Sequence, residues 1–303
     1  MSISLRQLRY FQALARERHF GQAAAQVSVT QTALSAQIRQ LEEALGGPLL
    51  DRDLPGLPLT PLGRAVLPHA EAVLAEVRAL EDAARDASGA GMELRVGIIP
   101  TVAPYLTPHL LPLIRAQGGT VMIREAVTDT LLTELREGVI DAAVLALPVP
   151  MAPAQAAELF EDRFLLALPP EPLAPELQPV ARPEQVPAES LLLLDEGHCL
   201  GDQALNACGL RREGGRRRFG AASLVTLAHI VASGQGATLL PEIAAATEAR
   251  GMRLSRFAVP EPSRTIGLVR VGHGDAPAWF DSFADCARKA AALIPRPELL
   301  PGE

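Results

Sequence analysis

Cys199 and Cys208 stand nine positions apart in LLLLDEGHCLGDQALNACGLRREGGRRRF, residues 191–219, and no other pair of side chains in the sequence is better suited to chemistry. A cysteine reacts as its thiolate, so a reactive one needs surroundings that favour the anion. His198 precedes Cys199, Asp202 follows within one helical turn, and Gly197, Gly201 and Gly209 loosen the backbone around them. Four leucines lead in like a buried strand, Asp195, Glu196 and Gly197 turn the chain, and LGDQALNA has helical character. On a helix, nine residues rise about 13.5 Å and end about half a turn out of phase, which puts the two sulfurs on opposite faces. A disulfide requires Cα atoms within roughly 7 Å. Two readings stand. These are two unrelated buried thiols, the common role of intracellular cysteine, or they are a switch in which bond formation refolds the segment. The run Arg211, Arg212, Arg216, Arg217 and Arg218 supplies positive potential beside the pair, or is a solvated face.

The whole chain narrows the function classes. Its 303 residues suffice for two or three domains. A net charge of −7 argues against coating nucleic acid or membrane by bulk charge. Lys289 is the one lysine among 28 basic residues, so phosphate contacts fall to arginine. No run of 18 apolar residues exists, and the N-terminus alternates arginine with apolar residues at helical spacing, unlike a secretory signal. Three cysteines, an odd number, point to the reducing cytoplasm, where a disulfide is transient, catalytic or sensory. G-x-S-x-G, H-E-x-x-H, Walker and C-x-x-C motifs are absent, and Gly234-x-Gly236 falls between a helix and a strand, the wrong order for a dinucleotide site. No enzyme, metal or nucleotide cofactor is expected.

The elements that must position the thiols follow from periodicity. Leu5, Leu8, Phe11 and Leu14 mark a first amphipathic helix, and the alanine-rich stretch from Phe20 to Gln26 a second. After a turn, Thr30 caps a third helix whose stripe is Leu34, Ile38, Leu41 and Leu45. This suits a helix-turn-helix, or a small helical bundle with polar faces. On the third helix, Gln31, Thr32, Ser35, Gln37 and Arg39 offer polar groups suited to phosphates and base edges. Five arginines against Glu17 within residues 1–40 give a local charge of +4 in an acidic protein. Pro61 opens a long helix to about Ala87, with Val66, Val73 and Leu80 as a heptad seam and Ala70, Val77 and Ala84 beside it, suited to pairing two helices. Thereafter strands and helices alternate: LRVGII, a helix from about Leu106, VMIREAV, a helix from Thr130, DAAVLAL, and a strand over 164–168. A second α/β unit runs from Leu191 to about Arg264, then a returning strand and a C-terminal helix through Trp279, Phe283 and Leu293. That helix carries Cys286, read as structural.

Thr30-Gln31, Leu34-Ser35, Ile38, Leu41-Glu42, Leu45-Gly46, Leu59-Thr60 and Gly63 fall at the spacing of the winged helix-turn-helix of LysR-type transcription regulators, which the chain resembles. Its wing, 52–58, keeps Arg52 and lacks a second basic residue often seen there. The resemblance implies a fold of an N-terminal all-α winged helix-turn-helix (1–60), a dimerising linker helix and hinge (61–91), and an α/β periplasmic-binding-protein-like regulatory domain (92–303). In that domain lobe I is about 92–166 with 265–303, and lobe II about 167–264. GIIPTVAPYL, LLLLDEGHCLGDQALNAC, ASLVTLAHIVASGQGATLLPE and SRTIGLV further resemble the OxyR-like branch, which senses hydrogen peroxide. What that branch implies is specific. Cys199 is the peroxide-reactive thiol and Cys208 resolves its sulfenic acid to a disulfide. Thr101, Thr128, His198 and Asp202 bind and polarise peroxide, and Arg264 supports them. Thr30, Gln31, Thr32, Ser35, Gln37, Arg39 and Arg52 meet double-stranded DNA at promoter sites. The partners implied are a second copy through the linker helix, a tetramer, and RNA polymerase, with no membrane. The alternative is a family member answering a small organic effector, its cysteines incidental.

Overall fold

Ser4 opens the N-terminal unit with a reciprocal cap. Its hydroxyl accepts from the Gln7 amide at 3.3 Å, and Gln7 Oε1 accepts from the Ser4 amide at 2.9 Å. The computed structural model describes residues 3–88, 93–151, 154–171, 173–174, 178–195, 197–210, 220–272, 275–297 and 299. Glu196 and the arginine-rich run 211–218 lie outside the described residues. Contacts divide the chain into two units, Met1–Ser88 and Gly89–Glu303.

In the first unit, α1 (Leu5–Glu17) buries Leu8, Phe11 and Leu14 and leaves Leu5 exposed. His19 caps α2 (Phe20–Gln26), its Nδ1 accepting from the amides of Gly21 and Gln22 at 3.1 and 3.2 Å. Ala23 and Ala24 are buried where small side chains let helices approach. Thr30 Oγ1 accepts from Ala33 at 3.2 Å and starts α3 (Gln31–Leu45), whose Leu34, Ile38 and Leu41 are fully buried. Gly46 ends it in the left-handed region. The wing is a short hairpin closed by the Leu50–Leu59 bridge. Thr60 bonds the Pro48 carbonyl at 2.6 Å and accepts from the Gly63 amide at 3.0 Å, capping α4 (Pro61–Ser88). The heptad seam divides. Ala70 joins the core of this unit together with Leu74, while Val73 and Leu80 are 44% and 71% exposed.

The second unit places β1 (Glu93–Ile98) between β2 (Thr120–Glu125) and β3 (Ala142–Leu147), both parallel to it, with α5 (Ala103–Ala116) and α6 (Thr128–Glu137) as crossovers. The strand expected over 164–168 is the end of a much longer one, β4 (Ala154–Leu168). Its first part alternates exposed and buried residues and carries an irregularity between Glu158 and Phe160, so it lacks the continuous apolar run that marks its second part. The first part pairs with β9 (Ser263–Val271), and the second with β7 (Thr238–Pro241) and β8 (Arg253–Ser255). β9 is antiparallel to both β3 and β4, so the sheet is mixed rather than wholly parallel. The second lobe adds β5 (Leu193–Leu194), α7 (Cys199–Ala207), β6 (Gly220–Ala221), α8 (Leu224–Ala232) and α9 (Glu242–Glu248), and α10 (Ala278–Ala292) returns to pack on α5 and β4. This is a two-lobed α/β fold with β4 passing from one lobe into the other.

A Cβ built on Gly63 overlaps the Leu49 carbonyl, so the wing and the first turn of α4 fit only because this residue has no side chain. Gly63→Ala is expected to cost the N-terminal unit about 1–3 kcal/mol through overpacking, read as a lowered melting transition of that unit.

Candidate functional site

The helix α7 begins at one thiol and stops at the other. Cys199 is its first residue and is half-buried, where the peptide dipoles present their positive end. Cys208 is its C-cap, 4% exposed, with its amide bonded to the Ala204 carbonyl at 3.0 Å. All three cysteines are free thiols. Left-handed glycines flank the helix, Gly197 at φ +94° and Gly209 at φ +66°. Burial pushes the Cys208 thiol up to about 11, and the Glu184 carboxylate adds to the shift. Glu184 sits in the short turn Pro183–Gln185, its Cγ 3.7 Å from the position a Cβ on Gly209 would take. Cys286 lies fully inside α10, and burial raises its thiol too.

Sheet topology brings two of the expected threonines to one edge. β1 and β2 are parallel and end in register, Ile98 opposite Glu125. Thr101 and Thr128 each lie three residues further on, at the carboxyl edge of adjacent strands, where α/β folds place ligands. Thr128 is the first residue of α6, and Val127 before it comes within 3.9 Å of the position a Cβ on Gly197 would take. The turn leading into Cys199 therefore packs beside Val127, the residue before Thr128 in the chain. Thr128 Oγ1 is buried with no hydrogen-bond partner among the described residues.

Thr101 is 2% exposed and fully engaged on one side. Arg264 Nη1 donates to its hydroxyl at 2.9 Å and Nη2 to its carbonyl at 3.3 Å. Arg264 in turn pairs with Asp162, at 2.9 Å from Nε and 2.8 Å from Nη2, both side chains being at most 1% exposed. The pair is written into the register, since Asp162 of β4 stands opposite Arg264 of β9. The Ile243 amide, in the first turn of α9, donates to the other carboxylate oxygen at 3.2 Å. Burial raises the Asp162 carboxyl, opposed by the Arg264 charge and by both hydrogen bonds. Tyr105 of α5 reaches α9 by donating to Glu248 at 3.1 Å, and burial drives its hydroxyl well above the ordinary value.

Sequence reasoning gave Arg264 a supporting role and missed Asp162 altogether. The signal available was an acid preceding an apolar run, unreadable without knowing which residue lies opposite. It also missed Glu184, whose distance from Cys208 along the chain hides their proximity. His198 is the N-cap of α7 and is half-buried, its side chain not closing the cap, and Asp202 lies on the exposed side of the first turn. On α3, Gln31, Thr32 and Arg39 are exposed and Ser35 and Gln37 half-buried, while Thr30 is committed to its cap. Arg52 is held from both sides, paired with Glu42 at 2.8 Å and lying 5.5 Å from the Phe20 ring centroid. Glu42 also accepts from the Leu49 amide at 3.0 Å, so one carboxylate ties α3 to both ends of the turn into the wing.

Residues 5–64 match the family described as bacterial regulatory helix-turn-helix protein, lysR family, and residues 87–292 match the LysR substrate binding domain. A probable hydrogen peroxide-inducible genes activator of Mycobacterium avium is 44% identical over 277 residues, 86% of each chain. Among solved structures, full-length OxyR from Pseudomonas aeruginosa is similar with a TM-score of 0.65 and 33% identity, covering 95% of this chain and 98% of that one. A cysteine mutant of Corynebacterium glutamicum OxyR with hydrogen peroxide bound matches with a TM-score of 0.59 and 31% identity, over 96% and 93% of the two chains.

Asp162→Asn leaves Arg264 buried without its counter-charge and is expected to destabilise the regulatory unit by about 3–5 kcal/mol, measurable by urea denaturation. The raised Cys208 thiol has a signed consequence. Its contribution to stability is present below about pH 9, where the unfolded chain ionises, and is lost as pH rises through about 11. In a Cys199→Ser variant, alkylation of Cys208 by iodoacetamide should stay slow until pH nears about 11 in the folded protein and shift down to about 9 once urea unfolds it.

Proposed function

The chain belongs to the LysR family of bacterial helix-turn-helix transcription regulators, and we propose that it is a peroxide-responsive member whose input is the dithiol of α7. The observation that carries this reading is the placement of Cys199 and Cys208 at the two ends of one short helix, with the turn into it packed against Val127, which precedes Thr128. Cys199, as thiolate, attacks one oxygen of hydrogen peroxide. The O–O bond breaks, hydroxide leaves and takes up a proton to become water, and the sulfur becomes a sulfenic acid. Cys208 then attacks that sulfur, expelling a second water and forming the disulfide. Thr101, held by Arg264, and Thr128 bind the peroxide, with His198 and Asp202 at the start of α7 assisting proton movement.

About 13.5 Å of helical rise separates the two positions and a disulfide spans roughly 7 Å, so α7 must unwind when the bond forms. Gly197 and Gly209 supply the backbone freedom at its two ends. The refolded segment changes how subunits meet, and with that the spacing of the recognition helices on DNA. Val73 and Leu80, exposed on α4, suit pairing with a second copy. On this reading Gln31, Thr32, Ser35, Gln37 and Arg39 face the DNA, Arg52 braces the wing beside the phosphates, and the protein works in the cytoplasm as a dimer of dimers that recruits RNA polymerase. No helix among the described residues is long and apolar enough to cross a membrane.

One equivalent of peroxide should consume two of the three thiols in the native protein, none in Cys199→Ser, and one in Cys208→Ser with a sulfenic acid trapped by dimedone. Footprints of reduced and oxidised protein on promoter DNA should differ. Intact thiols after peroxide, with a footprint that moves on adding a small organic acid, would overturn the reading.

A further inference from the structure

The turn between α1 and α2 puts an arginine where a glycine would cost less. Arg18 caps α1 at φ +48° and ψ +26°, in the left-handed region, its amide bonded to the Leu14 carbonyl at 3.0 Å. A side chain is strained in that conformation, and glycine is the residue that commonly ends a helix this way. α3 and α6 do end so, at Gly46 and Gly138. Nothing around the Arg18 side chain accounts for the exception. It is exposed and forms no ion pair or side-chain hydrogen bond among the described residues, although Glu17 precedes it. Strain without local compensation points to a role outside the fold.

His19, the next residue, is a donor with a fixed aim. Its Nδ1 accepts from the Gly21 and Gln22 amides, so the ring hydrogen sits on Nε2. Nε2 meets no acceptor among the described residues, and the side chain is exposed. The ring and the Gln31 amide both lie against Gly21, with Cε1 3.1 Å and Oε1 3.7 Å from the position a Cβ there would take. The N-cap of α2 therefore stands beside the first residue of α3. Phe20 follows, its ring centroid 5.5 Å from the Arg52 guanidinium of the wing. The turn is thus bracketed by the two elements that the proposed reading sets on DNA. Helix-turn-helix proteins lay the second helix in the major groove with its first residues at the bases, and the first helix across the backbone. A cation and an N–H flanking the start of α3 then meet a phosphodiester oxygen rather than a base edge. We propose that Arg18 and His19 clamp one DNA phosphate beside the recognition helix, Arg18 by its charge and His19 through Nε2–H. The proposal rests on the DNA-binding reading and adds two residues that its α3 and wing set leaves out. The contact sets affinity and register and carries no sequence information.

The test measures binding of the reduced full chain to a promoter duplex and to a scrambled duplex of equal length. Fluorescence anisotropy gives the affinities over a series of salt concentrations, with the melting transition followed in parallel. Arg18→Gly removes the cation and relieves the backbone, so the melting transition should not fall while affinity for both duplexes drops at least about fivefold. The slope of log affinity against log salt should shrink by about one per subunit. Arg18→Gln keeps a side chain in the left-handed region and should lose the same affinity and slope. His19→Asn keeps the cap but falls short of the phosphate, and should weaken binding to both duplexes with the salt slope unchanged. Affinity within about twofold of native overturns the part of the residue substituted. A loss confined to the promoter duplex, or one that tracks a lowered melting transition, overturns the clamp. A native protein that binds neither duplex at low salt overturns the DNA-binding reading itself.

Discussion

A short α-helix is a rigid spacer, and here its two ends are both thiols. The backbone of α7 cannot hold its hydrogen bonds and also bring Cys199 and Cys208 within disulfide reach, because nine residues of helical rise, about 13.5 Å, exceed the roughly 7 Å that the bond spans. Oxidation state and local fold are therefore one variable. The surroundings of α7 make sense on that premise. It is nine residues long, the glycines beyond its two ends already sit in the left-handed region, and its N-terminus meets Val127 rather than being sealed by a side-chain cap. A helix of this length has little intrinsic stability and depends on the contacts of its buried face, Leu200, Ala204 and Leu205.

Beside that short helix stands a buried ion pair. Asp162 and Arg264 face each other across β4 and β9, out of water, with every close partner directed inward to Thr101 or to α9. Such a pair is weak evidence for net stability, since desolvation offsets the Coulomb attraction. Its value lies in direction. The guanidinium can satisfy Thr101 Oγ1, the Thr101 carbonyl and Asp162 together in one orientation only, which fixes the rotamer of a hydroxyl at the sheet edge. The same carboxylate binds the start of α9, and α9 also receives Tyr105 from α5. The threonine is thereby referenced to elements of both lobes.

The sequence was legible where one helix or one strand settles the matter. The capped third helix, the end of α4 near Ser88, the strand–helix alternation and the helical character of 200–207 follow from period and caps. The spacing of the thiols was readable for the same reason, since both lie on one element. Pairings between elements were not. The first part of β4 hides behind alternating polarity, the antiparallel return of β9 depends on which strand it meets, and Asp162 acquires meaning only opposite Arg264. Val66, Ala70 and Val73 look alike as a heptad, and packing alone separates those the unit buries from Val73, which it leaves exposed.

The unequal burial of the thiols orders the events that the helix allows. Cys199 is half-buried at the helix start, beside the threonine edge, whereas Cys208 is covered at the helix end with Glu184 near it. Burial and that carboxylate both oppose ionisation of Cys208, so in the folded segment it is a poor nucleophile and a poor first target. Unwinding α7 removes both restraints in the same motion that carries the sulfurs together. On the proposed chemistry, resolution of the sulfenic acid is then coupled to refolding. A helix that kept its second thiol exposed would form mixed disulfides before it moved, and the chemical signal would be lost from the fold.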